Sequence, residues 1–420
     1  MRVVAYRLRM SARRPRLIAA ALALLLSAVA APASADSFRS AEWWLDEYGV
    51  TKAWKTATGR GITIAIIDTG IDGSHPDLTG QVVGGTDVSG IGSSDGQTLL
   101  TPERDHGTKV ASLAAGHGVG SSGVMGTAPD AKLLSISASF DGGDSSTDQQ
   151  VADGLTWAVD HGADIVVMSF VMNRPWWTPE WDEAFLKAEK AGVLIVAAAG
   201  NRGSGTDSIG APATIPGVLA VGGVSRTGRV STYASTPGST IGVVAASERL
   251  PGSIPGGKRE MWNGTSGAAP IVAGIAALVM QAHPDLDTAN VVNRILQTAD
   301  PVGKRGNVKY GWGIIDAYEA VTAEVPLVDE NPLGTIADWI SMHRLDNWES
   351  TNIALPVPAV KEPELPVVAV DDETWAAWDE AWRGVVAPAV TVGGIALSVG
   401  AIAYPTARRL VLSRRRTPTQ

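Results

Sequence analysis

The sequence predicts an α/β fold built on a parallel sheet, and three observations lead there. Short apolar runs alternate with segments of helical spacing from Thr51 to about Ala323. The runs are apolar throughout, as expected of strands covered on both faces. The 47 glycines fall mostly in the turns between these elements, where crossover loops need them.

In chain order, the predicted strands are Ile62–Ile67 (ITIAII), Leu133–Ile136, Ile165–Met168 (IVVM), Val193–Ala199 (VLIVAAA) and Val218–Val221. Helical spacing covers Thr108–Ala115, Gln149–His161 and Pro179–Ala191. Gly267–Gln281 (GAAPIVAGIAALVMQ) is apolar all round and too short to favour a membrane span, so it reads as a central core helix. No internal repeat is visible.

The two ends read as addresses. Residues 1–35 carry six arginines and no acid, then an apolar stretch from Leu17 to Ala30, then Ala33-Ser34-Ala35. That is the layout of a cleaved secretory signal. Arg13-Arg14 leaves twin-arginine export open. Residues 384–407 hold no charged residue and are long enough to cross a hydrocarbon core of ~30 Å. Five arginines lie in 408–420, which places the tail on the cytoplasmic side and the bulk of the chain outside. Trp375, Trp378 and Trp382 would share one face of a juxtamembrane helix. Between domain and span, residues 324–383 are rich in proline and acid and read as a semi-extended stalk, on which Trp339 and Trp348 could dock back.

Composition excludes several classes. The net charge of −9 argues against nucleic acid as a partner. Removing the eleven terminal arginines leaves residues 36–407 with 23 basic against 43 acidic residues, a charge of −20. There is no cysteine, hence no disulfide, thiolate metal site or thiol nucleophile. No two of the six histidines stand at i, i+4, so an HExxH-type zinc site is absent.

Reactive groups in an α/β sheet belong at the carboxyl ends of its strands. Asp68 ends the first run, His106 sits in Asp105-His106-Gly107-Thr108 before a helix, and Ser266 lies immediately before the apolar core helix. There a developing negative charge meets free N–H groups. Each also has a plain alternative: Asp68 as a turn cap, Ser266 as a helix N-cap, His106 as one histidine of six. Spacing alone leaves these open.

Five ordered motifs narrow the choice. DTGIDGSHPDL, HGTKVASLAAG, ADIVVMSF, AAAGN and NGTSGAAPIVAG resemble those of the subtilisin-like serine proteases, from about Ala41 to Val321. The resemblance implies a subtilisin-like three-layer αβα arrangement with a mostly parallel central sheet over residues 36–323. It implies Ser266 as nucleophile, His106 as general base and Asp68 as its orienting carboxylate. Asn201 becomes the side-chain donor to the oxyanion. The substrate, a polypeptide, would lie between segments near Gly142 and near Ser169 and Phe170, with Ala199 and Gly200 lining the primary side-chain pocket. No cofactor is implied as required, and a calcium site stays open, no compact acidic loop being visible.

Two positions depart from the family pattern. Gly267 follows the nucleophile where a larger residue is usual, and Val171 replaces the glycine of a Ser-Leu-Gly segment. Trp176, Trp177 and Trp181 could wall the cleft, though the packing of a long loop is the favoured reading. Only Asp36–Arg60 separates the signal from the first strand, too little for a folded pro-domain. The whole layout resembles the anchored mycosins of type VII secretion, as does Trp43-Trp44-Leu45 through Ala53-Trp54, their N-terminal extension. That leaves open a secretion apparatus as partner, a purely structural subunit, and a soluble degradative protease.

Overall fold

The computed structural model describes residues 35–98, 105–140 and 145–344. Residues 1–34 of the predicted signal, Gly142, Trp348, the tryptophan row, the candidate span 384–407 and the basic tail lie outside the described residues.

The core is a seven-stranded sheet in the order β2-β3-β1-β4-β5-β6-β7. Its strands are β1 (Thr63–Asp68), β2 (Val82–Asp87), β3 (Lys132–Ser137), β4 (Ile165–Met168), β5 (Leu194–Ala198), β6 (Leu219–Val224) and β7 (Ile241–Ala246). Every pairing in it is parallel. The five predicted strands match to within about two residues, except that β6 runs on to Val224. β2 and β7 complete the sheet. Central strands are buried at nearly every position, which explains their unbroken apolar character.

Helices cover both faces. On one lie α4 (His106–Ala115), α7 (Thr265–Ala282), α8 (Thr288–Thr298) and α9 (Ala317–Thr322). On the other lie α5 (Thr147–Asp160) and α6 (Pro179–Lys190). Three short helices precede the sheet: α1 (Ala35–Ala41), α2 (Trp44–Glu47) and α3 (Val50–Ala53). They bury Trp44, Leu45, Tyr48, Val50 and Ala53 in the first core layer. Trp54 donates its indole N–H to the Thr127 carbonyl at 2.8 Å, and Gln281 Oε1 accepts the amides of Thr58, Gly59 and Arg60.

α7 passes through the core with every residue from Thr265 to Val279 buried. Among the described residues it is the one helix apolar and long enough to cross a membrane, and its burial explains that composition. A two-stranded antiparallel hairpin, β8 (Leu250–Ile254) with β9 (Lys258–Trp262), leads into it.

Part of the region read as an extended stalk is packed on the domain. Asn290 and Asn293 hold the carbonyls of Val328 and Pro326 through their side-chain amides. A further helix, α10 (Ile336–His343), capped by Thr335, follows. Its Ile336 is buried, and Trp339 meets Trp177 at 4.4 Å between ring centroids. Pro326 and Pro332 hid this strap, because proline excludes regular structure without excluding docking.

Candidate active site

The three predicted groups come from one side of the sheet. Asp68 is the last residue of β1, at the switch point where the chain order reverses between β3 and β4. His106 is the first residue of α4, two positions ahead of the predicted helix start. Threonine hydroxyls stitch the two elements together: Thr69 Oγ1 accepts from Gly107 N at 3.1 Å, and Thr108 Oγ1 accepts from Asp72 N at 3.0 Å.

His106 Nδ1 lies 2.9 Å from each carboxylate oxygen of Asp68. The carboxylate is an obligate acceptor, so Nδ1 carries the proton, and in the neutral ring Nε2 holds the lone pair. Asp68 is buried, whereas 35 % of the His106 side chain is exposed. Burial works against the imidazolium, but the adjoining Asp68 charge and hydrogen bond outweigh it and raise the His106 pKa above its ordinary value. The Lys109 ammonium, one turn along, opposes that rise. It is itself held by Asp105 at 2.8 Å and Glu260 at 2.5 Å.

The other histidines are occupied differently. His75 Nδ1 accepts from Asp77 N at 3.0 Å while its Nε2 donates to the Lys258 carbonyl at 2.9 Å. His117, His161, His283 and His343 each bond a backbone carbonyl. His106 alone, among the described residues, has a carboxylate within 3 Å of a ring nitrogen.

Ser266 is the second residue of α7, not the residue before it, so it is no N-cap; that position is Gly264. Pro270, one turn on, has no N–H to give to the Ser266 carbonyl. Ser169 Oγ supplies the missing donor at 2.9 Å and so ties the end of β4 to the Ser266 turn. Ser266 is 8 % exposed.

Asn201 faces the same turn. Its Oδ1 accepts from Thr265 N at 2.8 Å and Thr265 Oγ1 at 3.0 Å, which fixes the amide and turns Nδ2 the other way. A Cβ on Gly264 would lie 3.3 Å from Asn201 Nδ2 and 3.7 Å from Ser266 N. Both donors therefore border one small space, which glycine keeps open. Its φ of +152° suits glycine as well. Two N–H groups converging beside a serine hydroxyl can stabilise an oxyanion.

Of the predicted substrate contacts, Ser169 and Gly200 border this turn; Gly200 N donates to Thr265 Oγ1 at 3.1 Å. Phe170 leans on Phe140, with 4.6 Å between centroids. The Ala199 methyl packs instead into a small buried cluster with Val224, Ile241 and Val244, so only its backbone is left to face a substrate. Trp177 and Trp181 are buried, donating to Asp182 Oδ1 and the Asp148 carbonyl, which is the packing role; Trp176 is exposed, with the Arg174 guanidinium over its ring at 4.3 Å. Among the described residues no group of three or more His, Asp or Glu is placed to hold a metal ion.

Thr265 and Trp262 carry roles the sequence reading did not assign. Thr265 orients both Asn201 and Gly200, and its place beside Ser266 in NGTS was the available signal. Trp262 sets its ring edge-on to His106 at 5.5 Å. It also accounts for Gly267: a Cβ there would stand 3.2 Å from Trp262 Cζ2 and 2.2 Å from Leu250 Cδ1. Leu250 and Trp262 fill the space a larger residue would take.

The chain is similar to known proteins over most of its described length. Residues 59–313 match Peptidase_S8, the subtilase family. Subtilisin E of Bacillus subtilis (strain 168) is 35 % identical over 268 residues, 63 % of this chain and 66 % of its own length. The crystal structure of MycP1 from Mycobacterium smegmatis superposes with a TM-score of 0.58 at 28 % identity, covering 68 % of this chain and 85 % of that one. MycP1 from the ESX-1 type VII secretion system gives 0.59 at 27 % identity, with 69 % and 88 % covered. The chain belongs to the subtilase family of serine endopeptidases.

Proposed function

We propose that the protein is a membrane-anchored, extracytoplasmic serine endopeptidase acting through an acyl-enzyme. The observation that carries the proposal is the Asp68 carboxylate set against His106 Nδ1 at 2.9 Å, with Trp262 edge-on to His106 at 5.5 Å and also packed against Gly267, the residue after Ser266. Ser266 Oγ attacks the substrate carbonyl carbon while His106 Nε2 takes the hydroxyl proton. The carbonyl oxygen becomes an oxyanion facing Asn201 Nδ2 and Ser266 N. Asp68 holds the tautomer and stabilises the imidazolium. As the C–N bond breaks, His106 returns its proton to the leaving amine. Water, deprotonated in turn by His106, then hydrolyses the ester and restores Ser266.

The anchor rests on residues 384–407 with the arginines beyond them, and the export on residues 1–35. Likeness to the MycP1 structures supports a place beside a secretion apparatus, with secreted proteins as substrates. Two experiments test the reading. Purified protein should cleave an unfolded polypeptide, and Ser266→Ala should not; equal cleavage by both would overturn it. The full chain should sediment with membranes and lose that behaviour when residues 384–420 are removed; equal solubility would remove the anchor.

A further inference from the structure

Two segments flank the donors Asn201 Nδ2 and Ser266 N. Ser169–Val171 is tied to the Ser266 carbonyl through Ser169, and Gly200 immediately precedes Asn201. On that reading, the side chain of the residue whose carbonyl oxygen meets those donors enters between these two segments, here called the slot. Val171 packs between Gly200 and Gly210, and the Cβ direction of Gly210 is closed by the Met172 carbonyl oxygen, 1.9 Å from where that Cβ would stand. A Cβ on Gly200 would lie 3.2 Å from Val171 Cγ1; a Cβ on Gly210 would lie 3.0 Å from Val171 Cγ2. One isopropyl group thus reaches both walls.

The slot has little freedom to widen. Met172 N donates to the Ala211 carbonyl at 2.7 Å and Ala211 N to the Arg174 carbonyl at 2.9 Å, clamping the segment after Val171 against the one after Gly210. Behind Gly200 stands Thr206, whose Cγ2 would be 2.6 Å from an added Cβ. Valine is also stiff about χ1. A large incoming side chain would have to displace packed backbone, a costly kind of overpacking.

We propose that Val171 closes the primary specificity slot, so that the protein cleaves after Gly, Ala or Ser and rejects large side chains at that position. The inference rests on the serine endopeptidase reading above. The test is a series of matched peptides differing only at the residue that donates the attacked carbonyl, assayed with wild type, Val171→Ala and Val171→Gly. A small fluorophosphonate, which needs no side chain in the slot, reports on Ser266 in each. For wild type, kcat/KM with Ala should exceed that with Phe by at least ~100-fold. Val171→Gly should narrow that ratio at least ~30-fold, and Val171→Ala should fall between. Wild type that labels but cleaves after Phe as readily as after Ala overturns the proposal. So does an unchanged ratio in either variant that still labels. Wild type that fails to label removes the endopeptidase reading, and this inference with it.

Discussion

Two buried carboxylates, Asp68 and Asp77, stand nine residues apart in sequence and are held in opposite ways. Asp77 accepts from Val119 N, Val124 N, Ser253 Oγ, and Nε and Nη2 of Arg259, all within 2.6–3.1 Å. Burial pushes its pKa up, but the Arg259 pair and the hydrogen bonds outweigh that and bring it down to about 2. Asp68 instead meets a titratable ring, His106, whose side chain is 35 % exposed. A carboxylate enclosed by fixed donors knots loops together, here the 117–125 loop and the β8–β9 hairpin. A carboxylate behind a ring that can gain and lose a proton supports chemistry.

Paired substitutions break that comparison most sharply. Asp68→Asn should leave the fold in place and lower kcat about 10⁴-fold, by holding His106 in the wrong tautomer. Asp77→Asn should destabilise the domain by roughly 2–4 kcal/mol, because the partly buried Arg259 loses its partner charge. Protein that remains folded should keep its turnover. Urea midpoints and kcat measured on both variants would reverse this assignment if Asp68→Asn proved the less stable and Asp77→Asn the less active. Since the folded Asp77 pKa is depressed, its stabilisation is present above the ordinary carboxyl range and drains away as pH falls toward about 2.

Smaller effects sharpen the picture on the catalytic side. Asn201→Ala should lower kcat by about 10²–10³ with KM little changed, because the lost donor matters most once the oxyanion forms. A loss confined to KM would contradict that placement. Turnover needs neutral His106, whose folded pKa is raised, so kcat/KM should fall with decreasing pH along a limb centred above the ordinary ~6.5. A limb below 6.5 would mean that Asp68 does not dominate the ring's environment.

A further effect, seen only as a pH slope of stability, concerns the N-terminal helices. Glu42 accepts from Met125 N at 2.6 Å, and burial raises its pKa to about 8 despite Arg39 at 3.3 Å. An acid with a raised folded pKa favours folding while protonated, so this contribution is lost as pH rises from the ordinary carboxyl range toward 8. Glu42→Gln should flatten the decline of stability between pH 5 and 8, a slope approaching ~1.4 kcal/mol per pH unit. Identical slopes in both proteins would rule it out.

Much of this was legible in the chain because its signals were local. Continuous apolar runs marked the central strands, and Asp68 fell at a strand end as read. β2 escaped because VVGGTD is glycine-rich and only partly buried at the sheet edge. Ser266 was displaced by a residue or two, since Gly264 with its unusual φ, and not the serine, opens the helix. Thr265 and Val171 were marked locally, by NGTS and by the departure from Ser-Leu-Gly, but their partners, like the contact of Trp262 with His106, lie far off in the chain, where no local pattern records them. The packed strap at 324–344 was read as stalk because its anchoring asparagines belong to another helix.

The central claim is that Ser266, His106 and Asp68 act as one unit. Wild type, Asp68→Asn and Ser266→Ala should be treated with a fluorophosphonate at pH 8 and digested for mass spectrometry. The account predicts one equivalent on the Ser266 peptide of wild type, much slower labelling of the same peptide in Asp68→Asn, and none in Ser266→Ala. Folded wild type that stays unlabelled, or that labels at another residue, would contradict it.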